Sequence, residues 1–261
     1  MITSTSNQQV KNLVQLQKKG KARREQGQFI VEGIRMFAEI PDAWIQQVYV
    51  SETFLLNNPD KLFGKTYEVL ADKVFEYVSD TKTPQGVLGV VKMPAYTKKD
   101  LLTAADGRAP LVLLLENIQD PGNLGTMFRS GEGAGVTGII MDKTTVDIFH
   151  PKTVRSTMGG IYRVPFIIVD DIKEGIRLLQ EHRIRIYAAH LKESCCYDEP
   201  DYTTGCGFLI GNEGNGLTDE TAEMADQYIR IPMGGKLESL NASVAASLLM
   251  YEANRQRRNC V

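Results

Sequence analysis

The chain has 261 residues, enough for one large domain or for two smaller domains that each bury a core. Its composition, with 43% hydrophobic and 24% charged residues, is ordinary for a globular protein, and the net charge of −2 does not indicate a general nucleic-acid binder. No apolar run reaches the ~20 residues of a membrane span. The first ten residues lack the pattern of a signal peptide, so the sequence predicts a cytoplasmic protein without a membrane partner.

The cysteines and histidines form no pattern that indicates a metal or a disulfide framework. There is no C-x-x-C pair and no spacing typical of a zinc site. The four cysteines are Cys195, Cys196, Cys206 and Cys260. We therefore expect reduced thiols and no bound metal.

Positive charge is concentrated near the N-terminal end. Residues 1–35 hold seven basic and two acidic side chains, a net charge of +5. Such a segment can contact phosphates, although a solvated helix face is the more common explanation of a charge run taken alone. The candidate phosphate contacts are Lys18, Lys19, Arg23 and Arg24.

The first 93 residues predict a small α/β domain without a visible catalytic constellation. A basic helix over 7–20 precedes a strand at 28–31, and a helix near 33–40 precedes strands at 46–50 and 86–91. Residues 94–110 predict a linker, because prolines bracket them and the strand-like apolar pattern stops there.

Residues 111–261 alternate apolar strands with helices. The predicted strands are 111–115, 138–141, 164–169, 184–189, 207–210 and 228–231. The predicted helices are 124–134, 151–158, 171–182, a short one near Thr218, and 242–255. This order predicts a mostly parallel sheet that is covered on both faces and binds its ligand at the carboxyl ends of the strands.

Three glycine-rich segments follow predicted strands and should therefore meet at that edge. They span residues 116–125 (with Arg129 just beyond), 210–217 and 231–243. Glycine lets a backbone approach a ligand closely, and each segment also carries polar side chains. The chain lacks the G-x-G-x-x-G, G-x-x-x-x-G-K-[ST] and G-x-S-x-G patterns, so nothing indicates a dinucleotide site, a P-loop or a serine nucleophile.

Together the three segments resemble the signature motifs of the TrmH/SpoU-type RNA ribose 2′-O-methyltransferases, in the SPOUT class. The matching residues are Asn117-x-x-Asp-Pro-x-Asn-x-Gly125 with Arg129, Gly211-Asn-Glu-Gly-Asn-Gly-Leu217, and Ile231-Pro-Met-x-Gly-x-x-x-Ser-Leu-Asn-x-Ser-x-Ala245. Residues 151–159 also fit, and the match covers about 111–255. Residues 28–33 resemble part of the family's small RNA-binding domain. Gly131 is a departure, since relatives often carry alanine there.

The resemblance implies a C-terminal trefoil-knotted methyltransferase domain, an N-terminal α/β RNA-binding domain similar to a ribosomal protein, and a homodimer. It implies S-adenosylmethionine as the methyl donor and RNA as the substrate, with the separate N-terminal domain favouring ribosomal over transfer RNA. The implied cofactor-binding residues are Gly211, Ile231, Met233, Leu240 and Asn241. Arg155, in the segment 151–159, is a further implied RNA contact.

The resemblance implies catalytic roles for Arg129, Asn123, Glu213, Ser239 and Asn241. In isolation, the two asparagines would be interpreted as helix caps, Glu213 and Ser239 as loop residues, and Arg129 as part of a surface ion pair. A guanidinium is effectively always protonated in proteins, so we expect Arg129 to stabilise the reacting oxygen rather than act as a base. Glu213 could orient Arg129 or accept a proton.

Two alternatives stay open. A catalytically silent RNA-binding or ribosome-assembly protein on the same fold would bind the cofactor without transferring its methyl group. A methyltransferase acting on a base or on a protein would differ in the position of the methyl group in its product.

Overall fold

The computed structural model of the protein describes residues 1–104, 106–190 and 194–258, so Ala105 of the predicted linker and Cys260 lie outside the described residues. The chain divides into two compact units. The first contains Met1–Ala95 and Asp147–Tyr162, and the second contains Tyr96–Val146 and Arg163–Val261. Within the described ranges, no helix is both long enough and apolar enough to cross a membrane.

The first unit is built on a four-stranded sheet. Its strands are β1 (Gln28–Glu32), β2 (Ile45–Ser51), β3 (Tyr67–Leu70) and β4 (Val87–Lys92), in the order β1-β4-β2-β3. β4 runs antiparallel to β1 and β2, and β3 runs parallel to β2. The carboxyl ends of β1, β2 and β3 therefore lie at one edge of the sheet, together with the start of β4.

Five helices accompany this sheet. They are α1 (Gln8–Lys18), α2 (Gly20–Gln26), α3 (Ile34–Ala38), α4 (Glu52–Asn57) and α5 (Asp72–Val78), with 3-10 turns at Asp42–Trp44 and Pro59–Leu62. Val10 and Leu13 of α1 are buried against Ile30, Leu70 and Leu88 of the strands. The small α/β domain predicted from the sequence is thus confirmed, although the predicted helix over 7–20 ends at Lys18 and a second helix follows.

The second unit contains a seven-stranded, fully parallel sheet with the order β7-β6-β5-β10-β8-β11-β9. Its strands are β5 (Leu111–Leu115), β6 (Gly138–Asp142), β7 (Phe166–Val169), β8 (Arg185–Ala189), β9 (Cys195–Cys196), β10 (Cys206–Ile210) and β11 (Gln227–Arg230). Every residue of β5, β6 and β10 is buried, as expected of strands covered on both faces. The predicted parallel sheet is confirmed.

The described residues after Ala95 contain seven further helices. They are α6 (Lys98–Leu102), α7 (Pro121–Ala134), α8 (Pro151–Ser156), α9 (Gly160–Arg163), α10 (Ile172–Glu181), α11 (Asp219–Ala222) and α12 (Ala242–Arg258). α7 packs beside α12, where the Ser247 hydroxyl donates to the Ser130 hydroxyl at 2.8 Å. α6 lies inside the predicted linker, and its fully buried Leu101 belongs to the core of the second unit. Residues 96–104 are therefore part of a folded unit.

Residues 147–162 also depart from the predicted boundaries. They follow β6 and precede β7, yet they pack with the first unit. Arg23 Nε and Nη2 donate to Asp147 Oδ2 at 3.1 and 2.7 Å, and Arg23 Nη1 donates to the Leu16 carbonyl oxygen at 2.7 Å. The Phe149 ring lies 5.0 Å from the Phe29 ring. The contacts of Asp147 and Phe149 join residues more than 100 positions apart, which no local sequence pattern reveals.

Asp147→Asn tests the ion pair that fastens this segment. Arg23 is 3% exposed, so removing its carboxylate partner leaves an uncompensated buried charge. Breaking a fully buried ion pair costs about 3–5 kcal/mol. Because Asp147 is 26% exposed, we expect a smaller fall in the free energy of unfolding, of about 2–3 kcal/mol. Urea unfolding followed by the fluorescence of Trp44, the single tryptophan, reports on the first unit.

The control is Lys21→Gln, which breaks the exposed Lys21–Glu25 pair at 3.7 Å and should cost less than about 0.5 kcal/mol. Equal effects of the two substitutions would contradict a structural role for Arg23 and Asp147.

Candidate active site

The three segments lie where the sequence predicted them, at the carboxyl edge of the parallel sheet, but residues 121–125 of the first segment, with both of its glycines, already belong to α7. The first loop (116–120) follows β5, the second loop (211–217) follows β10, and the third loop (231–241) follows β11. β10 pairs directly with β5, so the first two loops leave neighbouring strands. Hydrogen bonds between the loops then decide which side chains meet.

Glu116 fastens the second loop and the start of α11 to the end of β5. The residue is 8% exposed. Oε2 accepts from the Thr218 backbone N–H at 3.0 Å, and Oε1 accepts from the Thr218 and Thr221 hydroxyls at 2.9 and 2.7 Å. Thr218 also caps α11. This residue, which the sequence analysis did not single out, sets the exit of the second loop.

Asn117 fixes the other end of the second loop. Its φ of 54° lies in the left-handed region, which asparagine tolerates better than most residues. Its backbone N–H donates to both carboxylate oxygens of the buried Asp142, and its carbonyl accepts from Asn212 Nδ2 at 2.8 Å. Asn212 Oδ1 in turn accepts from two backbone N–H groups within the second loop. Asp142 and Asn212 were also missed from the sequence.

Glu213 clamps the second loop to the first. Its two carboxylate oxygens accept from the backbone N–H groups of Gln119 and Asp120, both at 3.0 Å, and from Asn123 Nδ2 at 2.9 Å. Partial burial raises the pKa of Glu213, but these hydrogen bonds outweigh it and hold the pKa below its ordinary value. An ionised carboxylate with three donors favours a positioning role over proton acceptance.

The third loop joins the same network through Asn241. Its Nδ2 donates to Asn123 Oδ1 at 2.9 Å, while its Oδ1 accepts from the backbone N–H and the hydroxyl of Ser243 at the start of α12. Asn241 is therefore a helix cap and a link between loops. Asn123 caps no helix, because Asp120 is the N-cap of α7. The amides and the carboxylate form one chain, Asn241–Asn123–Glu213.

Arg129 and Ser239 differ from the other predicted catalytic residues. Both side chains are exposed, and neither makes a hydrogen bond or ion pair with another described residue. Arg129 lies on α7, the helix whose first turn carries Asn123. The surface ion pair that could have explained Arg129 is not observed within the described ranges. Its five donors face no protein acceptor there, and its catalytic role stays a prediction.

A cavity of about 410 Å³ opens between the second and third loops and the ends of β8, β10 and β11. This volume suits a small ligand. The predicted cofactor residues Gly211, Ile231, Met233 and Leu240 line the cavity, whereas Asn241 lies between two lining residues. Its other lining residues include the apolar Ile210, Leu217, Ile229 and Leu249, the predicted Glu213 and Ser239, and the charged or titratable His190, Arg230 and Glu238, which were missed from the sequence.

Gly211 is required by the backbone at this cavity. A Cβ atom there would lie 2.3 Å from both the Gly216 carbonyl carbon and the Leu217 nitrogen, closer than real atoms approach. A side chain at position 211 would therefore force the second loop open.

The predicted RNA contacts fall into three groups. Lys18, Lys19 and Arg24 are exposed on the first unit, as a phosphate contact requires. Arg23 differs from the prediction, since it is buried and its donors are used by Asp147 and by backbone carbonyls. Arg155 donates to Asp80 at 2.8 Å and is partly exposed. The basic run therefore mixes a structural arginine with surface cations.

Glu116→Gln tests the link between the end of β5 and the second loop. The side-chain NH₂ group of the new glutamine would face the donors of Thr218 or Thr221 and could not accept from them. The variant therefore loses a charge-assisted hydrogen bond worth about 1.5–3 kcal/mol. We expect backbone amides at 211–218 to exchange hydrogen about tenfold faster or more, measured by mass spectrometry.

Thr137→Val provides the control at the other end of β5, where the Thr137 hydroxyl bonds Leu111. It should lower global stability without selectively changing exchange at 211–218. Unchanged exchange in Glu116→Gln would refute the assigned role.

Sequence models of known families match most of the chain. The SpoU rRNA Methylase family matches residues 110–251, and the MRM3-like substrate binding domain matches residues 7–89. RlmP of Bacillus subtilis, a 23S rRNA (guanosine(2553)-2'-O)-methyltransferase, is 31% identical over 252 residues, which cover 96% of this chain and 97% of RlmP.

Solved structures agree with this assignment. An AdoMet-bound rRNA methyltransferase from Sinorhizobium meliloti superimposes with a TM-score of 0.85 at 30% identity, covering 97% of both chains. The SpoU methyltransferase AviRb from Streptomyces viridochromogenes, in complex with AdoMet, gives a TM-score of 0.86 at 25% identity, covering 97% of this chain and 98% of AviRb. The resemblance inferred from the three motifs is confirmed, and the chain belongs to the SpoU rRNA Methylase family.

Proposed function

We propose that the protein transfers a methyl group from S-adenosylmethionine to a ribose 2′-hydroxyl in ribosomal RNA. The observation that carries this proposal is the chain Asn241–Asn123–Glu213, which holds three loops together around a cavity of about 410 Å³. The relative RlmP and the structural neighbour from Sinorhizobium meliloti are named for rRNA methylation, which supports the same reaction here.

The cavity fits the proposed cofactor. Its apolar side chains and the backbone around Gly211 suit an uncharged adenine ring, and Ile231 and Leu240 extend that surface. Glu213, Glu238 and Arg230 are also among its lining residues, so both signs of charge border the cavity. When bound, S-adenosylmethionine supplies an electrophilic methyl group, so the protein's task is to position and activate the hydroxyl.

Arg129 is the residue best suited to activate that hydroxyl. Its guanidinium is exposed and keeps its donors free of other described residues, so it can hold an RNA phosphate and stabilise the oxyanion that develops. Asn123 and Asn241 fix the geometry of the surrounding loops, and Ser239 supplies a hydroxyl at the cavity wall. Preorganised groups of this kind lower a barrier without reorganising during the reaction.

The first unit supplies the substrate-binding part of the enzyme. The match of residues 7–89 to a substrate binding domain supports this role, and the name of RlmP supports ribosomal over transfer RNA. An RNA substrate of this kind also supports the expected cytoplasmic location. The second and third loops would form the trefoil knot that the family implies, and the close backbone approach at Gly211 is consistent with a tight crossing.

Arg129→Ala tests the reaction and the role of the arginine together. We expect kcat to fall by ~100-fold or more while the dissociation constant for S-adenosylmethionine stays unchanged, because the charge acts mainly in the transition state. The assay uses labelled S-adenosylmethionine and ribosomal RNA from cells lacking the gene, with nucleoside mass spectrometry of the product and calorimetry for binding.

Arg177→Ala is the matched control, since Arg177 is an exposed arginine on α10 of the same unit. Near-normal methylation by Arg129→Ala would contradict the catalytic role proposed for Arg129. A methylated base or protein as the wild-type product would favour the other methyltransferases, and cofactor binding without any transfer would favour a silent RNA-binding protein.

The proposed homodimer is supported by an apolar stripe on α12. Val244, Leu248 and Tyr251 recur at helical spacing and are 46%, 39% and 48% exposed. A Cβ on Gly133 of α7 would lie 2.8 Å from the Tyr251 hydroxyl, so Tyr251 packs against α7 at this glycine. Apolar residues on one exposed helix face are typical of a protein interface.

Val244→Glu/Leu248→Glu tests the dimer. Charged side chains on both copies of the stripe would be buried without partners, so we expect the wild-type dimer to become a monomer in light scattering after gel filtration. Ile168→Glu, at an exposed position on β7, should leave the mass unchanged. A monomeric wild type, or a double variant that remains dimeric, would refute this interface.

A further inference from the structure

The third loop is held differently from the first two loops of the candidate active site. Within the second loop, Asn212 Oδ1 accepts from two backbone N–H groups, and Glu213 bonds this loop to the first. Residues 232–240 of the third loop, in contrast, make no hydrogen bond or ion pair with any described residue. The loop is fastened at its ends, by strand β11 on one side and by the bond from Asn241 to Asn123 on the other. A segment with so few bonds changes its conformation at low cost in free energy.

Two glycines in the middle of this loop are not required by its present conformation. A Cβ atom added to Gly234 or Gly235 would meet no atom beyond its chain neighbours within 4 Å, and neither residue lies in the left-handed region. Gly211 of the second loop differs, since a Cβ there would lie 2.3 Å from the Gly216 carbonyl carbon. Glycine adds to the entropy cost of ordering a chain, so two glycines without a local requirement indicate the close approach of a ligand or a second conformation.

Leu237 presents an apolar side chain from the same loop. It is 71% exposed, more than Ile168 on β7, at 52%, or any residue of the α12 stripe. Single exposed leucines are common and need no explanation by themselves. The position of this one is informative, because its neighbour Glu238 lines the cavity of about 410 Å³, as do Met233 and Ser239. Leu237 does not line the cavity itself, so it lies beside the cavity rather than in it.

The charges of this loop cancel. Lys236 and Glu238 are both exposed, and no other residue from 232 to 240 is charged. The loop therefore lacks the excess of cations that phosphate contacts use. It offers instead an apolar side chain and a run of backbone N–H and C=O groups that bond no described residue. A nucleobase matches such a surface, because it has an apolar face and an edge of donors and acceptors.

Two bases come close to the cavity in the proposed reaction. One is the adenine of S-adenosylmethionine, for which the cavity already supplies the apolar side chains of Ile210, Leu217, Ile229 and Leu249. The other belongs to the RNA nucleotide whose 2′-hydroxyl must reach the methyl group. Because the ribose of that nucleotide must enter the mouth of the cavity, the attached base stays outside it, on the surface that the third loop borders.

We propose that the middle of the third loop, residues 234–238, binds the base of the nucleotide that is methylated. Leu237 packs on the face of this base, and the backbone of Gly234 and Gly235 faces its edge. This inference rests on the proposed function for the identity of the substrate. It assigns a base contact to the second unit, in addition to the substrate binding domain matched by residues 7–89 of the first.

This contact couples recognition of the base to the geometry of the reaction. The loop that meets the base also carries Ser239 and Leu240, which line the cavity. Binding of the correct base orders the loop and uses part of the binding energy to place those residues, as in induced fit. A base that fits poorly leaves the loop unfastened, so the loop contributes to the choice of nucleotide.

The test uses the full-length protein and two synthetic fragments of ribosomal RNA. One fragment contains the nucleotide that the wild-type protein methylates, which is mapped first in ribosomal RNA from cells lacking the gene. The other fragment has an abasic ribose at that position. Affinities are measured by filter retention with S-adenosylhomocysteine present, so that no methyl transfer occurs. Leu237→Ala is compared with the wild type and with Ile168→Ala, at an exposed aliphatic position on β7 of the same unit.

We expect Leu237→Ala to bind the intact fragment about tenfold more weakly than the wild type, because the apolar contact with the base is lost. The wild type itself should bind the abasic fragment weakly, and Leu237→Ala should then add less than about a twofold loss, because neither protein has the contact. Ile168→Ala should stay within about twofold of the wild type on both fragments. Calorimetry should give both variants the wild-type affinity for S-adenosylmethionine, and light scattering should give them the wild-type mass.

Gly234→Ala/Gly235→Ala tests the two glycines separately. The loop without ligand has room for both methyl groups, so the midpoint of urea unfolding should stay unchanged or rise. The same variant should lose about tenfold in kcat/KM for the intact fragment, because the new side chains hinder the approach of the base to the backbone. An unchanged kcat/KM would contradict the contact at the glycines.

Wild-type affinity of Leu237→Ala for the intact fragment, or an equal loss on both fragments, would overturn the proposal. A weaker affinity for S-adenosylmethionine would also overturn it, since the loop would then cover the cofactor, and a changed mass would overturn it in favour of a contact with a second copy of the chain. A failure of the proposed function gives a different result. The wild-type protein would then yield no 2′-O-methylnucleoside to map, and the inference would fall with it.

Discussion

The arrangement of the candidate active site depends on the Glu213 carboxylate. It lies in a loop rich in glycine, which loses more conformational entropy on folding than any other residue. Three donors from the first loop and α7 converge on it, and hydrogen bonds to a charged group are worth about 1.5–3 kcal/mol each. Through Asn123 and Asn241 the same carboxylate also restrains the third loop. Without it, the first and second loops would keep their bonds through Glu116 and Asn117, but the link that runs through Asn123 to the third loop would lose its anchor.

The site separates residues that hold the structure from residues that remain available for a ligand. The carboxylates of Glu116 and Glu213 and the amides of Asn123 and Asn241 are engaged with one another or with the backbone. Arg129, in contrast, carries exposed donors with no acceptor among the described residues. The catalytic role proposed for Arg129 needs such an unengaged cation carried on a rigid element, and α7 is that element.

The sequence predicted the sheet well where strands are uninterrupted apolar runs, as in β5, β6 and β10. It missed β3, which is half-buried, and β9, which has two residues. The motifs located the loops, but the bond between Glu116 and Thr218 spans 102 positions and has no local signal. The prediction that Arg23 contacts RNA phosphates differs from the structure for a related reason. A basic run does not reveal which of its side chains is buried against a distant carboxylate, here Asp147.

The discontinuity of the first unit has a consequence for biosynthesis. Residues 1–95 are synthesised before residues 147–162. During translation, Arg23 therefore lacks its partner Asp147, and Phe29 lacks its neighbour Phe149. The N-terminal unit can therefore complete its packing only after β5 and β6 have been synthesised, although domains generally fold in order of emergence. For the same reason, exchange of residues 1–95 between relatives by recombination at a single junction would separate Arg23 from Asp147.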